Sequence, residues 1–153
     1  MYADHADATT DVHGESRIKV NERVGRETDP ITHQIIGASF EVLNQLKYGL
    51  AETVYEKALE HELSLRGVQC ETQKALPVAY KGVQVGDFRA DMYVEGKVIC
   101  ELKVVKAFLD EHVAQLINYL KLSGIEVGLL MNFAHPRLQW KRILNDESIC
   151  ADS

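Results

Sequence analysis

Asp91, Glu101 and Lys103 are the residues of this sequence whose types and spacing could do chemistry. Residues 97–105, Lys-Val-Ile-Cys-Glu-Leu-Lys-Val-Val, are rich in β-branched side chains and read as a strand. Alternation along it sends Glu101 and Lys103 to one face and Cys100, Leu102 and Val104 to the other. An acid and a base two residues apart on an otherwise apolar strand are costly unless they are paired or hold a ligand. Residues 88–94 read as a second strand, with Arg89, Asp91 and Tyr93 on one face, and Glu95-Gly96-Lys97 supplies a tight turn between the two. Such a hairpin sets two carboxylates beside a lysine. Hard oxygen donors suit Mg²⁺ or Mn²⁺, a cation that draws in a phosphate and acidifies a bound water. The competing reading is a salt-bridge cluster on a solvated sheet face, worth about 0–1 kcal/mol. Arg89 is open to either phosphate contact or an ion pair with Asp91.

These residues need a scaffold. Asp29-Pro30 gives an N-cap and a first helical position, and Ile31, Ile35, Ala38, Val42, Leu43 and Leu46 follow at helical spacing, so the sequence predicts a helix over 30–47. A second helix is expected from near Ala51 to Arg66, with Val54, Ala58, Leu59, Leu63 and Leu65 as apolar positions and Gly67 just past its end. Residues 68–80, interrupted by Pro77, suggest an edge strand or an irregular pair, with turns at Lys81-Gly82 and Gly86-Asp87. Asp110 to Leu122 is a third helix with Val113, Leu116, Ile117 and Leu120 as its core stripe, stopped by Ser123-Gly124. The apolar run Ile125 to Phe133 suits a strand buried on both faces, and 136–144 a final short strand or helical turn. The order implies a mixed α/β domain in which the third helix crosses between two parallel strands.

A chain of 153 residues with 46% apolar content fits one domain, preceded by a polar tail over 1–29 and followed by a short tail over 145–153. His5 and His13 in the first tail are read as incidental. No apolar run is long enough to span a membrane and no secretory signal is evident, which suits a cytoplasmic protein. Cys70, Cys100 and Cys150 are odd in number and lack metal-finger spacing, so reduced thiols are expected. A net charge of −6 counts against a protein that coats nucleic acid, but it permits an enzyme with clustered carboxylates and a local basic rim, drawn from Lys121, Arg137, Lys141 and Arg142 or absent if these are ordinary surface charge.

Further residues fall into place by resemblance. Gly49-Leu50-Ala51-Glu52-Thr53-Val54-Tyr55 matches the pattern of the GxxExxY proteins, a group that resembles the PD-(D/E)XK nuclease superfamily. Gln115-Leu116-Ile117-Asn118-Tyr119 is similar to the Gln-x-x-x-Tyr helix of that superfamily's RecB-like branch. The resemblance covers about residues 30–144 and implies a restriction-endonuclease-like core, a mixed central sheet flanked by helices. It implies that Asp91 bridges Mg²⁺ or Mn²⁺, with Glu101, the carbonyl of Leu102 and Glu52 as further ligands. Lys103 would then orient or deprotonate the water, and Gln115 and Tyr119, one helical turn apart, would position substrate. Ala90 stands where the superfamily's name has proline, a matter of backbone shape.

Each residue has a plainer reading too. Glu52 favours a helix N-terminus whatever its role, Tyr55 suits packing, Gln115 and Tyr119 could be the polar edge of an amphipathic helix, and His112 a surface group. The function expected is a metal-dependent nuclease acting on DNA, or on RNA, as a homodimer if both strands of a duplex are cut. The alternatives are a nuclease-fold module that binds nucleic acid or a protein without cutting, and an enzyme for another phosphate ester.

Overall fold

Two runs of apolar residues, Ile35, Ala38 and Val42 in the first helix and Tyr55, Leu59 and Leu63 in the second, lie at helical spacing and bury completely or nearly so. They close both helices onto one face of a sheet. The computed structural model describes residues 22–145, with side chains from residue 30 onward. Its elements are α1 (Glu22–Leu46), α2 (Glu52–Leu65), β1 (Cys70–Tyr80), β2 (Val83–Val94), β3 (Val98–Lys103), α3 (Asp110–Ser123), β4 (Val127–Asn132) and β5 (Gln139–Leu144). The strands form one sheet in the order β1-β2-β3-β4-β5, antiparallel except for the β3–β4 pair. That parallel pair requires a crossover, and α3 supplies it. The architecture is the expected mixed α/β sheet between helix layers.

The core divides by sheet face. Cys100, Leu102, Leu129 and Met131 pack with α1 and α2, whereas Ile99, Leu130 and Ile143 pack with Leu116 and Leu120 of α3. All six residues of β4 are buried, because helices cover both of its faces. Gly128 lets α3 come close: a Cβ there would meet Leu116 Cδ1 at 3.0 Å.

Several boundaries differ from expectation. α1 starts at Glu22, so Pro30 lies inside it and residues 22–29, expected in the tail, are helical. Proline's fixed φ is itself helical, so the ring costs one N–H and some crowding without forcing the chain out; the stretch ahead of it carries no apolar period that could have flagged it. Residues 1–21 and 146–153, with His5, His13 and Cys150, lie outside the described residues. In α2 the buried stripe is Tyr55, Leu59 and Leu63, while Val54 and Leu65 face solvent at 40% and 68% exposure. Gly86-Asp87 is not a turn but part of β2, where Gly86 pairs with Val78 beside a register shift. Glycine here marks a bulge. Pro77 is accommodated in β1 because that strand is the sheet edge. The expected turn at Lys81-Gly82 is present, with φ of +50° and +84° as a two-residue hairpin requires. No helix of the described residues is long and apolar enough to cross a membrane.

Gly128→Val will overpack the α3–β4 contact. A loss of about 1–3 kcal/mol is expected, read as a lower urea midpoint with an unchanged denaturant slope.

Candidate active site

β2 and β3 pair only from Met92–Val94 to Val98–Cys100, and then part at Asp91. Where the next rungs of the ladder would fall, side chains take over. The Leu102 N–H donates to Asp91 Oδ2 at 2.8 Å, and the Asp91 N–H donates to Glu101 Oε2 at 3.2 Å. Glu101 is on the face of Ile99, whose partner across the strands is Tyr93, so the two carboxyl groups stand side by side. The expected hairpin geometry is therefore present.

On its other side Asp91 meets a distortion of β1. Gln73 has φ of +51°, a conformation that costs a non-glycine residue about 1 kcal/mol or more. Arg89 donates to its carbonyl oxygen at 2.7 Å, so this guanidinium holds the backbone of β1. The Gln73 amide in turn reaches Glu56 Oε1 at 3.0 Å and lies 3.5 Å from Asp91 Oδ1.

The electrostatics follow from crowding acids side by side at a largely buried position. Glu101 is 7% exposed. Burial pushes its carboxyl up to about 8, helped by the charge of Asp91 and by a hydrogen bond between the two carboxyls; the Asp91 N–H and the charge of Lys103 pull the other way. Burial also raises Glu56, opposed by the Gln73 hydrogen bond and reinforced by Asp91. Tyr119 is raised by burial and by the charges of Glu101 and Asp91, which places its hydroxyl within their field. Its ring stacks on Phe88 with centroids 4.1 Å apart.

Lys103 ends β3 half-buried, opposite Asn132 of β4. Asn132 is completely buried and accepts the N–H groups of Val105 and Ala134 while donating to the Val105 carbonyl and to Gln139. It fixes the chain directly after Lys103. The seven-residue pattern at Gly49–Tyr55 divides its labour. Gly49 adopts φ of +89° and its N–H meets the Phe133 carbonyl at 3.1 Å. Tyr55 is fully buried, stacks on Phe133, donates its hydroxyl to the Lys47 carbonyl and accepts the Leu50 N–H. Both residues brace the loop entering α2, in keeping with the packing reading of Tyr55. Glu52, at the first position of α2, is exposed, and no hydrogen bond joins it to Asp91 or Glu101. Glu56, one turn further, is the α2 carboxylate that feels the charge of Asp91. Gln115 is exposed one turn before Tyr119 and likewise makes no hydrogen bond to the carboxylates. His112 is engaged locally, its Nδ1 accepting the Leu109 N–H at the start of α3.

Glu56, Gln73 and Asn132 were missed by sequence reasoning. Glu56 could have been found as the residue four past Glu52, on the same helical face. Asn132 was visible as a polar residue inside an apolar run. Nothing in the local sequence marks Gln73. The proposed basic rim is not a single patch: Arg137 lines a groove of about 730 Å³ with Phe40 and Leu43, on the α1 side of the sheet, whereas Lys141 sits opposite Leu130, a residue packed under α3.

Among the described residues no three carboxylate, histidine or cysteine side chains converge as a metal cage. The donor set nonetheless fits one small hard cation. Mg²⁺ is usually held by one or two carboxylates and keeps several waters. Asp91 and Glu101 would supply two, with the Leu102 carbonyl next to Glu101 in the chain. The cysteines do not enter: burial pushes Cys70 up to about 12 and Cys100 well above its usual range.

The raised carboxyl has a consequence for stability. Between the ordinary 4.5 and about 8 the folded chain keeps a proton that the unfolded chain releases. Stability is therefore highest below that window and falls as pH rises through it. Glu101→Gln removes the penalty and keeps an acceptor for the Asp91 N–H. In chelator-treated protein it should unfold several degrees above wild type at pH 8.5, with the gap closing toward pH 5; an equal gap at both pH values would contradict the assignment.

Comparison with known proteins bears on this geometry. No curated protein matches the chain. Among solved structures, one titled "Crystal structure of SSO0001" aligns with 21% identity over 85% of this chain and 66% of its own length, with a TM-score of 0.48. The model of the PD-(D/E)XK nuclease superfamily matches residues 29–143, from the last turns of α1's amino-terminal half through to β5. That span contains the parted hairpin, both helices that flank it and the crossover, and the restriction-endonuclease-like α/β sheet agrees with it: the chain belongs to the PD-(D/E)XK nuclease superfamily.

Proposed function

We propose that this protein is a metal-dependent nuclease that hydrolyses phosphodiester bonds of DNA, or of RNA, at the Asp91–Glu101–Lys103 site. The observation that carries the reading is the pairing of two carboxyls where β2 and β3 part, Glu101 buried and its carboxyl pushed up by that burial, with the charge of Lys103 acting on it. Capping the Leu102 and Asp91 N–H groups takes only an acceptor at each position, whereas two acids side by side add a charge penalty that neutral acceptors would avoid. Within the superfamily, Gly49–Tyr55 supports placement with the GxxExxY proteins, and Gln115 with Tyr119 supports the RecB-like branch.

In this reading Asp91, Glu101 and the Leu102 carbonyl hold Mg²⁺ or Mn²⁺, which when bound polarises the phosphate and lowers the pKa of a water. Glu101 would hold the cation as a carboxylate, so its raised proton affinity would oppose cation binding. Lys103 neutralises the phosphate or orients the attacking water. Tyr119 and Gln115 position the substrate from α3. Glu56, with Glu52 nearer the rim, supplies further acceptors on the α2 side for water at the site. Cleavage of both strands of a duplex would take two such sites, and hence two copies of the chain.

Asp91→Asn and Lys103→Ala should each lower Mg²⁺-dependent cleavage of a labelled DNA or RNA by about 100-fold or more, with circular dichroism confirming an intact fold. Retention of wild-type rates by either variant would sink the assignment. Apparent Mg²⁺ affinity of the wild type, measured by calorimetry, should rise with pH by up to about tenfold per unit between pH 6 and 8. A flat profile would place the cation elsewhere.

A further inference from the structure

The β1–β2 hairpin extends well past the sheet. β2 spans twelve residues, yet β3 covers only its last three, and residues 83–87 are exposed. This arm is apolar where a solvated arm should be polar. Leu76 lies opposite Phe88, Val78 opposite Gly86 and Tyr80 opposite Val83, and alternation places Leu76, Val78 and Tyr80 on one face. That face begins buried against α3, where Phe88 stacks on Tyr119. It ends in solvent, with Tyr80 and Val83 61% and 62% exposed. The stripe therefore starts at Phe88, stacked on Tyr119, and runs outward for five residues of β2, roughly 15 Å at the rise of a strand.

Its charge departs from that of the chain as a whole. Residues 74–89 carry Lys74, Lys81 and Arg89 against Asp87 in a protein of net charge −6; Lys74 is paired with Glu71 at 2.9 Å and Arg89 holds the Gln73 carbonyl, so Lys81 is the cation that the stripe presents at its tip. Lys81 sits at the tip, its ammonium 5.4 Å from the centre of the Tyr80 ring. An exposed aromatic face beside a cation, as at Tyr80 and Lys81, is what the bases and phosphates of an unpaired strand need: each base offers a π-face whatever its identity, and each linkage a negative charge. A duplex hides its bases and would use only the cations.

We infer that the α3-side face of the β1–β2 hairpin is a track for single-stranded nucleic acid, leading from the exposed Tyr80–Lys81 tip along Val78 and Phe88 to the Asp91–Glu101 site. The inference rests on the nuclease reading for the direction in which the strand runs. Its test is independent of cleavage. Fluorescence anisotropy of a labelled single-stranded 20-mer and of a blunt duplex, titrated with the full chain in EDTA, compares wild type with Tyr80→Ala/Lys81→Ala and with Tyr80→Phe. Wild type should prefer the single strand. The double variant should lose at least about fivefold in single-strand affinity, and Tyr80→Phe, which keeps the ring, should retain it. Equal single-strand affinity of wild type and the double variant overturns the inference. So does a wild-type preference for duplex, or a dimer seen in sedimentation velocity that the double variant dissociates without loss of binding, which would make the stripe a contact between copies. Failure of the protein to cut any substrate leaves these readouts intact and bears on the nuclease reading alone.

Discussion

The structure turns on an exchange of hydrogen-bonding partners at the point where β2 and β3 separate. Backbone N–H groups in a half-buried cleft cannot be left without acceptors. Here Asp91 accepts the Leu102 N–H and Glu101 accepts the Asp91 N–H, so the carboxylates do work that carbonyl oxygens do elsewhere in the sheet. The exchange holds the strands apart while fixing both acids against the backbone. One oxygen of each carboxyl is thereby anchored, and Asp91 Oδ1 lies 3.5 Å from the Gln73 amide. Rotamer freedom is removed before any ligand arrives, which is the condition for a preorganised site.

Everything around this point steadies it. Gln73 is strained on one flank, its carbonyl gripped by Arg89 and its amide bridging toward Glu56. On the other flank Asn132 closes the backbone after Lys103. The helices arrive by different means. α2 is set by a glycine turn and by the Tyr55 ring against Phe133, and α3 is allowed in by the missing side chain at Gly128. Charge is concentrated where the fold can least easily screen it. Glu101 and Glu56 both hold protons more tightly than an exposed carboxyl, a penalty that only a cation or a proton relieves.

The sequence by itself determined the elements and their order, because hydrophobic period is a local property. Alternation over 97–105 put Glu101 and Lys103 on one face, the apolar run 125–133 required a strand covered on both sides, and the glycines at 49, 67, 82 and 124 marked turns through their positive φ. It also named Asp91 and Glu101 correctly as neighbours, since a short turn leaves a hairpin little choice of register. Helix ends were less legible: α1 runs through Pro30 because proline's own φ is helical, and Gly86 proved to be a bulge because glycine signals either. What only the tertiary structure decided was how far each strand stays paired and which residues of a helix face reach the cleft. Glu56 rather than Glu52 meets Gln73, the β2–β3 hairpin parts at Asp91, and the β1–β2 hairpin projects an apolar arm. These outcomes depend on contacts between residues far apart in the chain, and no local period encodes them.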